Sequence, residues 1–134
     1  MTRTDIFFDT NVLLYLASND SQKAAKAHAL VADGGQLSIQ VLDEIAAVTH
    51  RKYRLDWPLI RALLSTLRRS LDLAPTGLHT HELGLNLAER YRFSVYDSML
   101  LAAALQAGCR TFYSEDLHDG QVIDGTLTIR NPFA

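Results

Sequence analysis

The chain has 134 residues, a formal net charge of −2 and 48% hydrophobic residues, values that fit one folded domain and exclude a disordered chain. Because the net charge is close to zero, any contact with a polyanion must depend on local clusters of basic residues. A single cysteine, Cys109, excludes an internal disulfide and a cysteine-based zinc site. We expect one domain over residues 1–134, in the cytoplasm, with no signal peptide and no membrane-length apolar stretch.

Apolar runs, caps and turn residues predict the elements in chain order. The first half predicts a strand over Ile6–Phe8, a helix over Val12–Leu16, a helix over Ser21–Ala32 capped by Ser21, a strand over Leu37–Ile39, a helix from about Val41 and, after Asp56 as N-cap, a helix to about Leu71. The second half predicts a strand at Leu73-Ala74, helices over Thr80–Arg92 and Val95–Ala107, a strand over Thr111–Tyr113 and a hairpin of Val122-Ile123 with Leu127–Ile129 around Asp124-Gly125.

This alternation of strands and helices predicts the α/β class, a three-layer α/β/α domain with a mostly parallel central sheet. The helix over Val95–Ala107 is apolar almost all round, so we expect it in the centre of the structure. Folds of this class place their sites at the carboxyl ends of the strands. Asp9 and Asp116 each follow a predicted strand and are therefore expected at that edge.

Two further acids belong to predicted helices, and each of the four also has an ordinary structural explanation. Glu44 lies at the edge of an apolar helical stripe, whereas Asp43 points to the opposite side. Asp97 stands three residues after Ser94, as in a capping box. Asp9 suits a helix N-cap, and an aspartate such as Asp116 is common in turns.

Taken together, Asp9, Glu44, Asp97 and Asp116 indicate a metal site. Four carboxylates on one side of a sheet repel one another unless cations or protons lie between them. Oxygen ligands without His or Cys partners favour Mg²⁺ or Mn²⁺ over zinc. Such a site suits hydrolysis of a phosphodiester by a metal-activated water.

The chain resembles the PIN domain family and, within it, the VapC-type toxins of bacterial toxin-antitoxin pairs. The resemblance rests on four motifs in order and a familiar C-terminal end. They are Phe7-Phe8-Asp9-Thr10-Asn11-Val12-Leu13, Gln40-Val41-Leu42-Asp43-Glu44, Tyr96-Asp97-Ser98 before an alanine-rich helix, Ser114-Glu115-Asp116-Leu117 followed by Gly120, and Asn131-Pro132-Phe133. It implies a Mg²⁺- or Mn²⁺-dependent endoribonuclease, usually a homodimer, restrained by a cognate antitoxin protein bound across its active-site groove.

The resemblance also assigns residues. Asp9, Glu44 and Asp97 match the core acids of the family, and all four acids are predicted as catalytic metal ligands. Asp116 matches the less uniform fourth acid, which Glu115 or Asp119 could replace or supplement. Two further residues, Asn11 and Ser114, are predicted to support the site from its periphery.

The RNA substrate is expected to contact basic residues outside the acid cluster. The predicted phosphate contacts are Arg51, Lys52 and Arg54, and the alternative is that these residues form an ordinary solvated helix surface.

Other functions remain as alternatives. A PIN-type nuclease could process RNA without a toxin role, and an inactive PIN module could serve only to bind protein. A haloacid-dehalogenase-type phosphatase needs a second aspartate where Asn11 stands, and a receiver domain needs a lysine after its last strands, where this chain has none.

Overall fold

The computed structural model describes residues 4–134. Residues 1–3, which begin the segment where we expect no signal peptide, lie outside the described residues. The strands are β1 (Ile6–Phe8), β2 (Gln36–Leu37), β3 (Asp72–Leu73), β4 (Thr111–Tyr113), β5 (Val122–Ile123) and β6 (Leu127–Arg130). The helices are α1 (Thr10–Leu13, continued as a 3₁₀ turn over Leu14–Ala17), α2 (Ser21–Ala32), α3 (Ile39–Arg51), α4 (Trp57–Ser70), α5 (Leu78–Tyr91) and α6 (Val95–Gln106).

The six strands form one sheet in the order β3-β2-β1-β4-β6-β5, parallel except for β5, which runs antiparallel to β6. Helices α1–α4 contact one another in one group, while α5 packs along α6 in another. The predicted α/β fold with a mostly parallel sheet is confirmed. The closing hairpin is confirmed as well, with Asp124 and Gly125 both at positive φ in its turn.

Helix α6 fills the centre, as its composition predicts. Leu100, Leu101 and the three alanines that follow are all buried, and Ser98 is buried on the same helix. The sheet adds Phe7 and Phe112, whose rings stack at 5.6 Å between centroids on neighbouring strands. Burial of these side chains holds the carboxyl ends of β1 and β4 side by side, so the residues that follow the two strands are neighbours.

Several predicted boundaries were wrong by one or two residues. Asp20, and not Ser21, caps α2, because its carboxylate accepts the Lys23 N–H at 3.1 Å. Ile39 opens α3 instead of ending β2, since Ser38 is the extended residue before the helix. The third strand covers Asp72–Leu73. Helix α5 starts two residues before the predicted Thr80, because Gly77 provides the N-cap there without a polar side chain.

Among the described residues, none of the helices is both long and apolar enough to cross a membrane.

Candidate active site

The four predicted acids line one cleft at the carboxyl end of the sheet. The cleft has a volume of about 220 Å³, and its walls also include Thr10, Asn11 and Leu14. Asp9 follows β1, Glu44 lies on α3, Asp97 is in the first turn of α6 and Asp116 follows β4. Four separate elements thus bring their carboxylates to one place, which we call the four-acid cleft.

Asp9 is the deepest of the four, with 5% of its surface exposed. It is the N-cap of α1, and one carboxylate oxygen accepts the Thr10 N–H at 2.7 Å. The other oxygen accepts the Ser114 hydroxyl at 2.9 Å and the Asn11 amide at 3.2 Å. The capping role predicted for Asp9 is therefore real, and the same carboxylate also faces the cleft.

The pKa of the Asp9 carboxyl is raised from 3.8 to about 7, mainly by burial and in part by the negative charges of Asp97 and Glu44, which together outweigh the hydrogen bonds from Ser114 and Thr10. The pKa of Asp97 is also raised, first by burial and then by the charges of Glu44 and Asp116, while its hydrogen bond with Ser94 acts in the opposite direction. After burial, mutual repulsion of the carboxylates across the cleft is thus a second cause of both raised pKa values.

Glu44 is partly buried, as its place beside the apolar stripe predicts, and Asp43 is exposed. One Glu44 oxygen accepts the Thr10 hydroxyl at 2.6 Å, and the other accepts the Gln40 amide at 2.9 Å. The same Gln40 nitrogen donates to the carbonyl of Tyr96 at 3.0 Å, next to Asp97. Both carboxylate oxygens are thus held in place by hydrogen bonds.

Thr10 and Gln40 are positioning residues that the sequence analysis missed. Gln40 lies four residues before Glu44 on α3, a spacing at which side chains of a helix meet, so the signal was present. Thr10 had no comparable signal, because its contact with Glu44 joins residues 34 positions apart. Only the packing of α1 against α3 creates that contact.

The loop after β4 is tied to Asp9 through Asn11 and Ser114. Ser114 is fully buried, and its hydroxyl oxygen accepts the N–H groups of Asp116 and Leu117 at 3.3 and 3.4 Å. Asn11 donates to Ser114 at 3.3 Å and accepts the Glu115 N–H at 3.1 Å. These bonds orient the loop so that Asp116, although exposed, lines the cleft.

The other two acids of this loop have partners elsewhere. Glu115 accepts the Tyr15 hydroxyl at 2.5 Å and forms an ion pair with Lys23 at 2.6 Å. These two bonds hold the pKa of Glu115 below its ordinary value. Asp119 accepts the Asn131 N–H at 3.0 Å. Neither side chain lines the four-acid cleft, so the geometry favours Asp116 among the three.

The donor set of the cleft fits a hard divalent cation by its charge and chemistry. Of the residues that the structure describes, those lining the cleft include four carboxylates and no Lys, Arg or His. Over the same part of the chain, however, no three acids, histidines or cysteines are arranged as a ready-made ligand set. The carboxylates line one cleft and repel one another, so a bound metal ion would have to bring them closer together.

The predicted phosphate contacts Arg51, Lys52 and Arg54 are exposed and lie outside the lining of the four-acid cleft. Arg51 is in the last turn of α3, seven residues after Glu44. Seven residues make two turns, so Arg51 lies on the same face as Glu44, about 10 Å along the axis. The basic segment thus begins at the end of α3, two helical turns from Glu44, and its contact with RNA stays a prediction.

Residues 6–118 match the model of the PIN domain, so the chain belongs to the PIN domain family. This assignment excludes the receiver and phosphatase alternatives. No curated protein matches the chain at a significant level.

Two solved structures show the same fold at 20% identity. VapC20 of Mycobacterium tuberculosis, described as a sarcin-ricin loop cleaving toxin, is similar with a TM-score of 0.68 over 83% of this chain and 89% of that one. A chain of a toxin-antitoxin complex from Klebsiella pneumoniae is similar with a TM-score of 0.69 over 95% of this chain and 97% of that one.

Proposed function

We propose that this protein is a metal-dependent endoribonuclease that acts as the toxin of a toxin-antitoxin pair. The observation that carries the nuclease proposal is the four-acid cleft, which is lined by four acids and, among residues 4–134, by no basic residue. Membership of the PIN domain family supports the same activity.

In this proposal the four carboxylates are the ligands of Mg²⁺ or Mn²⁺. When bound, the metal supplies a water of lowered pKa and neutralises charge on the attacked phosphate. The protein's own part is to hold the ligands. Thr10 and Gln40 orient Glu44, while Ser114 and Asn11 orient Asp9 and the loop that bears Asp116.

The nuclease proposal is tested on purified full-length protein with structured RNA. We expect cleavage with Mg²⁺ or Mn²⁺ and none with EDTA. Glu44→Gln should lower the rate at least about a hundredfold, since it removes one charge from the ligand set. Asp43→Asn is the matched control, an exposed acid one position earlier on the same helix, and should keep the parent rate. Cleavage that persists in EDTA contradicts the proposal.

The fourth acid is tested by three single substitutions in one loop. We expect Asp116→Asn to lower cleavage at least about tenfold, because Asp116 lines the cleft. Glu115→Gln and Asp119→Asn should leave the rate within about threefold of the parent, since their carboxylates bind Lys23 and the Asn131 N–H instead. A larger loss with Glu115→Gln than with Asp116→Asn would reverse the assignment.

The toxin role rests on a different observation, the similarity to a chain of a toxin-antitoxin complex. We propose a cognate antitoxin protein as partner and a homodimer as the assembly. Expression of the parent should arrest growth of the native host, coexpression of the antitoxin should restore it, and Glu44→Gln should be harmless. Harmless expression of a parent that cleaves RNA in vitro would leave an RNA-processing nuclease without a toxin role.

A further inference from the structure

A second cleft of about 220 Å³ lies where α3 and α5 begin. Its walls include Ser38, the N-cap of α3, and Gly77, the N-cap of α5, together with Gln40, Thr76 and His81. We call it the helix-start cleft. It is separate from the four-acid cleft, and nothing in the proposed reaction uses it.

Ser38 is the unusual residue of this cleft. It is only 2% exposed, and its hydroxyl makes neither the usual N-cap hydrogen bond nor any other, which within residues 4–134 is true of just one more buried side chain, Ser98. A buried hydroxyl without a partner costs free energy, and such a group in a native protein calls for a partner, such as a bound water or ion. Thr80 differs, because its hydroxyl bonds the Gly77 N–H and Gln106.

The electrostatics of the helix-start cleft favour an anion. Helices of 13 and 14 residues both begin here, and the first N–H groups of a helix lack intrahelical partners and carry partial positive charge. The His81 imidazole and the Thr76 hydroxyl add side-chain donors. Within the described part of the chain, the helix-start cleft is lined by neither Asp nor Glu, whereas the four-acid cleft is lined by four carboxylates.

Gln40 connects the two clefts. It lines the helix-start cleft, while its side-chain nitrogen bonds both Glu44 and the carbonyl of Tyr96. An anion in the helix-start cleft is therefore one side chain away from the proposed metal ligands. An RNA backbone offers a row of anions at close spacing, and phosphates that are not cleaved position the strand.

We propose that the helix-start cleft binds a phosphodiester group of the RNA strand beside the bond that is cut, through the starts of α3 and α5, Ser38 and His81. The identity of the ligand rests on the proposed nuclease function. The anion site itself rests only on the geometry of Ser38 and the two helix N-termini.

Two measurements on the full-length protein in EDTA test the proposal without cleavage. In the first, inorganic phosphate is titrated while backbone amide resonances are followed by NMR. In the second, binding of a fluorescein-labelled single-stranded RNA is followed by anisotropy. We expect phosphate to shift the amides of Ile39, Gln40 and Leu78. Ser38→Ala and His81→Ala should each weaken both phosphate and RNA binding about three- to tenfold, the effect of losing one hydrogen bond.

Matched controls are available for both substitutions. Ser98→Ala removes the other unpartnered buried hydroxyl, and His79→Ala removes an exposed histidine two positions before His81; neither residue lines the cleft. Both controls should bind like the parent. Ser38→Ala should not lower the melting temperature, because its hydroxyl has no hydrogen bond to lose.

Each other outcome is decisive. Unshifted amides at the two helix starts, or variants that bind phosphate like the parent, would overturn the anion site. Weakened phosphate binding with unchanged RNA affinity would overturn the RNA assignment. A parent that shows both expected effects yet never cleaves RNA would contradict the nuclease proposal and leave the phosphodiester site standing.

Discussion

Asp9→Asn is expected to abolish RNA cleavage and yet to stabilise the metal-free protein above pH 7. The Asp9 carboxyl has a pKa of about 7 in the folded protein against 3.8 as its ordinary value. The native state therefore prefers the protonated form, and ionisation at pH 8 costs it up to about 4 kcal/mol. Asparagine removes that cost but gives up acceptor capacity worth about 1–2 kcal/mol.

The net gain should be about 2 kcal/mol at pH 8 and should turn into a loss of about 1 kcal/mol near pH 4, where Asp9 of the parent is protonated when folded and only the lost acceptor capacity counts. Denaturant unfolding in EDTA at the two pH values measures it, with Asp43→Asn as a control that should show no such change. A metal-free Asp9→Asn protein that is less stable than the parent at pH 8 would show that Asp9 serves only as the α1 N-cap.

The parent protein should lose stability in EDTA as the pH rises from about 4 to about 7. The raised pKa values of Asp9 and Asp97 both contribute, since a carboxyl that holds its proton more tightly when folded stabilises the protein only while protonated. Glu115 acts in the opposite direction, because its pKa is lowered, and its stabilising effect is lost only as the pH falls below about 4.5.

Mn²⁺ should reverse this loss. At a hundred times its dissociation constant, a ligand of the native state adds about 2.7 kcal/mol, and the gain should grow with pH as the carboxylates lose their protons. Asp97→Asn should be at least as stable as the parent in EDTA and should respond much less to Mn²⁺. Thermal melts at pH 5 and pH 8, with EDTA and with Mn²⁺, measure both effects. A metal response that Asp97→Asn leaves unchanged would remove Asp97 from the ligand set.

The sequence by itself determined the order of the elements and the end of the sheet at which the acids lie. These features follow from local chemistry. Ile6–Phe8 is an apolar run closed by a capping aspartate, and α6 is apolar almost all round, so the strand and the central helix can be predicted without any distant contact. Glu44 could be separated from Asp43 because helical geometry places adjacent residues on different sides.

Only the tertiary structure decided which side chains of each segment meet. Three acids follow β4 within six residues, and nothing local ranks Asp116 above Glu115. The contact of Glu115 with Lys23, 92 positions away, is what separates them. The Thr10–Glu44 bond and the unpartnered Ser38 hydroxyl likewise depend on how elements distant in sequence pack together. Local propensities act over a few residues, whereas these contacts arise when loops of tens of residues close around a shared core.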